Sequence, residues 1–363
     1  MPVATNLVPP NPANRLGLLY RLEATRLPWV PSPQTGIIDA HVHVHAPADG
    51  AAKTFFEAAE AFGVSQVWSQ TPLEEVDELR AVYGDRIVFI AVPDYTKARA
   101  SGGSGGEAEF ADDWARRIEA FAKKGAKMAK FWTAPRGRDI SPLFRLDHPV
   151  RLRIMRLARS LGMAIMTHVA DPDTWFATHY KDARRYGTKP EHYEPLERLL
   201  DEFYDTPWLG AHMGGDPEHL DHLQDLLDRH PNYYIDSSAT KWMVRELSKH
   251  PAEFRGFCER NPGRVLFGSD IVVAQGSRMD AAEAFDLYAS RYWALRTLFE
   301  TDYHGPSPIV DPDLPLLDPT LPLTAAPELN GAAFPPEVLD MVYHRAAEGF
   351  AARIAAYESR PKE

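Results

Sequence analysis

Eight short apolar segments between Gly36 and Asp270 constrain the fold of this chain more than any other feature. Longer amphipathic segments lie between them, an alternation typical of repeated β–α units on a parallel sheet. In order, the apolar segments are GIIDAHV, SQVWSQ, RIVFIAV, AKMAKFW, AIMTHV, WLGAHM, YYIDSS and RVLFGSD. Eight is the number of parallel strands that closes a (β/α)8 barrel. The sequence therefore predicts an α/β protein built as a TIM barrel.

Two proline-rich regions fall outside this repeat. Residues 1–35 contain seven prolines and one helix-like stretch, and we predict an N-terminal extension packed on the barrel. Residues 301–334 contain another seven prolines between two helical segments. They are too long for a plain connection and predict an insertion before the last helix. The barrel itself is predicted to occupy residues 36–363.

Composition narrows the class of function. With 40 basic and 51 acidic side chains the formal charge is −11, which argues against nucleic acid or an anionic membrane as the partner. The single cysteine, Cys258, excludes an internal disulfide framework and a cysteine-rich zinc module. No apolar run approaches the roughly 18 residues of a membrane span, and the N-terminus lacks the features of a secretory signal. We expect a cytoplasmic protein that acts on a small molecule.

The segment IIDAHVHVHAP carries the strongest local signal for chemistry. Residues two apart on a strand point to the same face, so His41 and His43 project together. Two neighbouring imidazoles are suitable ligands for zinc or a similar ion. Taken alone, the pair is equally compatible with histidines satisfied at a polar strand end.

The same arrangement recurs at three other strand ends. His168, His212 and Asp270 each follow an apolar run, which is where the catalytic residues of such barrels lie. Several polar groups gathered at one end of a barrel are costly unless something binds them. The pattern therefore predicts a metal-binding and catalytic site at the carboxyl ends of the strands.

This set of residues resembles the amidohydrolase superfamily, in particular its branch of metal-dependent TIM-barrel hydrolases, lactonases and aminocarboxymuconate-semialdehyde-type decarboxylases. The resemblance implies that His41, His43, His168 and Asp270 surround a divalent metal, with zinc favoured over manganese or nickel and one ion over two. It implies that His212 is a second-site ligand, or an acid/base and carbonyl polariser. It also implies a homodimer or homotetramer.

Further residues are candidates for binding substrate. Lys130 matches a lysine that some superfamily members carbamylate to bridge two metals and others leave free, and the free role is favoured here. Aromatic and cationic residues after the fourth and fifth strands suit a small anionic substrate, although solvated loop positions are the alternative. The substrate-binding candidates are Lys130, Trp132, Arg136, Arg138, Trp175 and His179.

The residue types suit more than one reaction. A metal-activated water, with Asp270 taking its proton, would hydrolyse a lactone, ester or amide. His212 would stabilise charge on the carbonyl oxygen. The same site could decarboxylate a hydroxy-aromatic or muconate-type acid, with Asp270 protonating carbon, and the ligand set does not separate the two. A barrel that has lost catalysis and only binds metal or ligand is a third possibility.

Overall fold

The computed structural model describes residues 36–45, 50–100, 106–273 and 279–359, so the predicted extension over residues 1–35 lies outside the described residues. Eight parallel strands overlap the eight predicted segments. They are β1 (Ile37–His43), β2 (Val64–Ser69), β3 (Ile87–Phe89), β4 (Met128–Trp132), β5 (Ala164–His168), β6 (Trp208–Gly210), β7 (Tyr233–Asp236) and β8 (Val265–Leu266).

Hydrogen bonds join these strands into a ring. Consecutive strands pair in parallel from β1 to β3 and from β4 to β8. Ala91, just after β3, joins β3 to β4. Its amide donates to the Met128 carbonyl at 2.8 Å, and its carbonyl accepts from the Lys130 amide at 2.9 Å. The Ala40 amide of β1 donates to the Phe267 carbonyl after β8 at 2.8 Å. The predicted (β/α)8 barrel is confirmed.

The last strand is less regular than its sequence predicts. The ladder breaks after Leu266 and resumes as β9 (Ile271–Val272), which pairs with β1. Within the break, the Ser269 amide and hydroxyl donate to the two oxygens of buried Asp39, at 3.0 and 2.5 Å. Asp270 takes a left-handed φ of 58°, and its amide donates to the His41 carbonyl at 2.8 Å. This tether holds Asp270 beside β1.

Helices of varied length connect the strands and cover the barrel. They are α1 (Ala51–Ala61), α2 (Val76–Tyr83), α3 (Tyr95–Ala100), α4 (Gly106–Lys123), α5 (Pro149–Ser160), α6 (Asp173–Thr178), α7 (Ala183–Tyr186), α8 (Pro190–Glu202), α9 (Leu220–Arg229), α10 (Thr240–Leu247), α11 (Pro251–Arg260), α12 (Ala281–Glu300), α13 (Leu314–Leu317), α14 (Pro336–Asp340) and α15 (Ala346–Glu358). A π-helical turn over Met341–Arg345 joins α14 to α15. Among the described helices, none has the length and apolar character needed to cross a bilayer.

The final helix closes the amino-terminal end of the barrel. Phe350 of α15 is fully buried, and its ring centroid lies 6.2 Å from that of Trp68 and 4.8 Å from that of Tyr234. Burying one phenylalanine in this way contributes about 2 kcal/mol. Because apolar side chains occupy this end, a polar site has room only at the opposite end, where the strands finish.

The predicted insertion at residues 301–334 contains two short strands and one short helix. Strands β10 (His304–Pro306) and β11 (Glu328–Asn330) pair antiparallel, and α13 lies between them in the chain. Two buried carboxylates of this segment, Asp311 and Asp313, meet the buried Arg245 of α10. This ionic contact attaches the insertion next to the loop that follows β7.

Candidate active site

A cleft of about 580 Å³ opens at the carboxyl ends of the strands. The five residues predicted to carry chemistry all line it, and they are His41, His43, His168, His212 and Asp270. Their positions follow from the strand geometry, since each lies on or just after a strand whose inner face points into the barrel. The structure thus brings together side chains that are up to 229 residues apart in the chain (270 − 41).

Three of these residues form a compact group of potential metal ligands. The Nε2 atom of His43 lies 3.1 Å from Oδ1 of Asp270, and Nε2 of His41 lies 3.5 Å from the same oxygen. One ligand atom from each of the three residues lies within 4.8 Å of the other two. Two imidazoles and one carboxylate are a donor set that suits zinc and leaves a coordination position for another ligand. The residues present therefore fit a divalent cation.

His168 lies in the cleft but has a different partner. Its Nε2 atom is 2.7 Å from Oδ1 of Asp171, and Asp171 also accepts a hydrogen bond from Tyr180. The ring centroid of His168 is 4.4 Å from that of His212. A carboxylate that engages one imidazole nitrogen orients the ring and leaves the other nitrogen for a ligand. His168 is not part of the compact group described above.

A hydroxyl behind the histidines fixes their protonated nitrogens. Ser238 Oγ lies 2.9 Å from Nδ1 of His41 and 2.8 Å from Nδ1 of His212, and it also contacts Asp236. A carboxylate can only accept, so the single hydroxyl hydrogen of Ser238 goes to Asp236. The His212 Nδ1–H must then donate to Ser238, and the His41 Nδ1–H donates to Ser238 and to Asp236, whose Oδ2 is 2.9 Å away.

This arrangement has a direct consequence for the cleft. With hydrogen on Nδ1, the neutral rings of His41 and His212 carry bare lone pairs on Nε2. Such a lone pair can bind a cation or accept a proton, whereas polarising a carbonyl needs an N–H. Of the roles that the resemblance implies for His212, the tautomer favours ligand or base over carbonyl polariser.

Burial and local charge set the ionisation of the site. Burial lowers the pKa of His41 and of His212 well below the ordinary histidine value, and nearby Lys130 lowers both further. Burial alone would raise the pKa of Asp270, but the hydrogen bond from His43 and the neighbouring positive groups hold it down to about 2. At neutral pH the centre therefore offers the neutral imidazoles of His41 and His212 and the ionised carboxylate of Asp270.

Two of the six predicted substrate-binding residues line the cleft. Trp132 forms part of its aromatic wall with Tyr95, and their ring centroids lie 6.2 Å apart. Lys130 is only 3% exposed, and its Nζ atom has no hydrogen-bond partner among the described residues. Burial lowers the pKa of Lys130 to about 8, against the opposing charges of Asp236 and Asp270.

The other four predicted residues lie outside the cleft lining. Trp175 donates its indole N–H to Asp313 at 2.9 Å, and His179 lies 3.6 Å from the same carboxylate. The Arg136 guanidinium lies over the Trp175 ring, with its Cζ atom 5.6 Å from the ring centroid. Arg138 lies in a separate small depression, where it donates to the Arg185 carbonyl at 3.3 Å. Trp175, His179 and Arg136 form a layer behind the cleft wall.

Comparison with known proteins identifies the family. The amidohydrolase family model matches residues 38–350, which include all of the barrel strands except the first residue of β1, and every residue of the compact group. The chain belongs to the amidohydrolase family. No curated protein sequence matches it.

Several solved structures resemble this amidohydrolase at low sequence identity. An uncharacterised TIM-barrel protein from Bordetella bronchiseptica is 12% identical, with 88% of this chain and 99% of that one covered and a TM-score of 0.49. A mutant organophosphorus hydrolase from Deinococcus radiodurans is 18% identical, with coverages of 90% and 94% and a TM-score of 0.48. The 5-carboxyvanillate decarboxylase of Sphingomonas paucimobilis is 13% identical, with coverages of 89% and 99% and a TM-score of 0.46.

Sequence reasoning missed several residues of this amidohydrolase site. Ser238 and Trp242 follow β7, so the rule that strand ends carry function could have identified them in YYIDSSATKW. Gln70 follows β2 in the same way. Arg291 lines the cleft from the middle of α12, far from any strand end, and its sequence context gives no signal.

Backbone strain is concentrated around the same centre. His212, Ala239 and Asp270 have φ values of 60°, 64° and 58°, the left-handed region that residues with a Cβ seldom adopt. They follow the consecutive strands β6, β7 and β8. Such conformations cost about 1–3 kcal/mol each and persist where the surrounding structure enforces them. Here the hydrogen bonds that Asp236 and Asp39 accept hold the strained backbone in place.

Proposed function

We propose that this amidohydrolase is a metal-dependent hydrolase of a small, anionic carbonyl substrate, namely a lactone, ester or amide. The observation that carries the proposal is the compact group of His41, His43 and Asp270 at the base of an open cleft. The family assignment supports hydrolytic or related chemistry, and the ionisation of the group suits a cation and a water.

His41, His43 and Asp270 would hold the cation, with His168 as the fourth donor predicted from the sequence. A divalent ion bound there would lower the pKa of a coordinated water toward neutrality. Zinc is favoured by the nitrogen and oxygen donors, although manganese and nickel also accept them. A second close set, His41, His212 and Asp236, is joined by the Ser238 hydroxyl and shares His41. That sharing favours one ion over two.

The side chains supply the proton transfers. Asp270 is ionised and faces the cleft, so its carboxylate takes a proton from the attacking water and later delivers it to the leaving group. The bare Nε2 of His212 accepts a hydrogen bond from the same water and orients it. The Lys130 ammonium, buried with no partner among the described residues, binds an anionic oxygen of the substrate.

A non-oxidative decarboxylase is the second candidate, and the aromatic wall favours it. The centroid of the Trp132 ring lies 5.3 Å from that of Phe144 and 6.2 Å from that of Tyr95. The ring centroids of Trp242 and His212 are 5.6 Å apart. A flat aromatic acid would fit between such walls. In that reaction the Asp270 carboxylate would first take a proton from water and then deliver it to a ring carbon, and carbon dioxide would leave from that carbon.

Asp270→Asn tests both candidates. A panel of lactones, aryl esters and hydroxybenzoates is followed by acid release and by carbon dioxide release, which separates hydrolysis from decarboxylation. We expect kcat to fall by about 10²- to 10⁴-fold in the variant, because the general base is lost. Its circular dichroism should match that of the wild type.

The matched control is Asp318→Asn, which changes an exposed carboxylate of the insertion. It should keep full activity. An Asp270→Asn protein that turns over substrate at the wild-type rate would exclude the proposed role of Asp270.

A further inference from the structure

Three side-chain nitrogens at the cleft have no acceptor among the described residues. They are Nε2 of Gln70, Nζ of Lys130 and Nε1 of Trp242, and the three residues are 5%, 3% and 8% exposed. All three atoms are hydrogen-bond donors. A buried donor without an acceptor costs about 1–3 kcal/mol, so native proteins retain few of them and each needs a reason.

Three tryptophans and two glutamines outside the cleft lining do have acceptors. The indole nitrogens of Trp68, Trp175 and Trp208 donate to Gln66, Asp313 and Thr167 at 3.1, 2.9 and 2.9 Å, respectively. The amide nitrogens of Gln66 and Gln224 donate to the Asp85 carbonyl and to Asp228, both at 2.9 Å. These five side chains therefore have acceptors, whereas the glutamine and tryptophan donors of Gln70 and Trp242 at the cleft have none among the described residues.

The unsatisfied donors lie on two sides of the barrel mouth. Gln70 follows β2 and Lys130 lies on β4, whereas Trp242 belongs to α10, which follows β7. Around the ring, β7 is three strands from β2 in one direction and three strands from β4 in the other. The strand β7 thus lies across the ring from β3, the strand between β2 and β4, so Trp242 comes from the other side of the mouth from Gln70 and Lys130.

We propose that Gln70 and Trp242 determine substrate specificity by donating hydrogen bonds to two separate oxygen groups of the substrate. The inference rests on the proposed function and adds the class of molecule. The substrate is a compact molecule with acceptor oxygens on two separate edges, and one of these edges faces Gln70 and Lys130. A site built around buried donors discriminates strongly against a ligand that leaves them unpaired. Molecules with oxygen on one edge only are the ones rejected.

Equilibrium binding tests the proposal without turnover. Isophthalate carries carboxylates on two edges of one ring, and benzoate carries a single carboxylate. Both are titrated by calorimetry into the metal-free and the zinc-loaded protein. The wild type should bind isophthalate at least about tenfold more tightly than benzoate, as a hydrogen bond to a charged group predicts.

The variant Gln70→Met keeps the approximate size of the side chain, Trp242→Phe keeps a smaller aromatic ring, and both remove the N–H. Each should weaken isophthalate binding about tenfold and narrow the preference over benzoate. The matched controls are Gln66→Met and Trp68→Phe, which remove a glutamine and a tryptophan donor at the other end of the barrel. The controls should leave the isophthalate Kd within about twofold of the wild-type value, a change below the weakest hydrogen-bond effect.

Three results would overturn the proposal: no binding of isophthalate by the wild type, equal affinity for the two acids, or equal losses in test and control variants. Failure here is distinct from failure of the proposed function. If turnover depends on Asp270 while the Gln70 and Trp242 variants bind normally, only the specificity assignment is wrong. If Asp270→Asn is fully active while these variants lose binding, only the catalytic assignment is wrong.

Discussion

Ser238→Ala is the substitution that most directly tests how the candidate metal centre is held. The Ser238 hydroxyl is the acceptor for Nδ1–H of His212 and one of two acceptors for Nδ1–H of His41. Removing it leaves His41 with Asp236 alone and leaves the His212 Nδ1–H without an acceptor among the described residues. Both rings are at least 97% buried, so solvent does not replace the lost bonds.

The size of the effect follows from these contacts. One buried N–H is orphaned, which should lower the free energy of unfolding of the metal-free protein by about 1–3 kcal/mol. Groups that orient a metal-binding histidine contribute about 10- to 100-fold to metal affinity. Because Asp236 still holds His41 at 2.9 Å, we expect the lower end of that range, a loss of about tenfold.

The assay is a competition titration of zinc against a chromophoric chelator, with urea unfolding of the metal-free protein followed by circular dichroism. Ser237→Ala is the matched control, because Ser237 is equally buried and its hydroxyl accepts from the Gly268 amide at 3.3 Å instead of an imidazole. The control should keep wild-type zinc affinity. Equal zinc affinity in the Ser238 and Ser237 variants would refute the assignment of Ser238 as the group that orients the histidines.

Two further predictions concern stability. Asp311→Ala removes a carboxylate from Arg245, whose side chain is only 3% exposed. Breaking this buried ion pair should lower the free energy of unfolding, measured by urea titration, by about 3 kcal/mol. A loss below about 1 kcal/mol, typical of an exposed pair, would show that the insertion is held by other contacts. Burial, with help from Arg138, lowers the pKa of His192 to about 4, so the unfolded chain takes up a proton first as the pH falls from 6.5 to 4. Stability conferred by the neutral ring is complete above pH 6.5 and declines toward pH 4, by up to about 3 kcal/mol. His192→Gln should reduce this acid sensitivity in urea melts at pH 7 and pH 4.5, and an unchanged difference between the two melts would argue against the shift.

The barrel and the inner residues of the site were predictable because they obey local rules. Strand periodicity puts His41 and His43 on one face, and the end of a strand is a position that can be read from the sequence. His168, His212 and Asp270 follow from the same rule applied to three other strands. Each prediction needs only the residue and its own segment. The structure places all five residues at one cleft.

The contacts that tune these residues were not predictable in the same way. Ser238 meets His41 across 197 residues, and Ser269 meets Asp39 across 230. Such pairings depend on the register between distant strands, which the pattern within one segment does not contain. The break in the last strand is another example, because the run RVLFGSD appears continuous until the Asp39 tether is known. The position of Arg138 is a further example, because its contact with the Arg185 carbonyl joins residues 47 apart in the chain.

The distribution of donors and acceptors explains why this cleft suits a cation together with an oxygen-rich molecule. At its base, Ser238 and Asp236 engage the hydrogens on Nδ1 of His41 and His212, so lone pairs and the Asp270 carboxylate are what remain facing inward. Around the mouth the cleft presents donors instead of acceptors, because Gln70 and Trp242 contribute N–H groups that lack acceptors among the described residues. A cation would pair with the lone pairs and the carboxylate at the bottom of the cleft but would leave the N–H groups at the mouth without acceptors. An anion alone would pair with those N–H groups and leave the groups at the bottom of the cleft unpaired. Only the two together remove both costs, which is the physical reason to expect metal and substrate in one site.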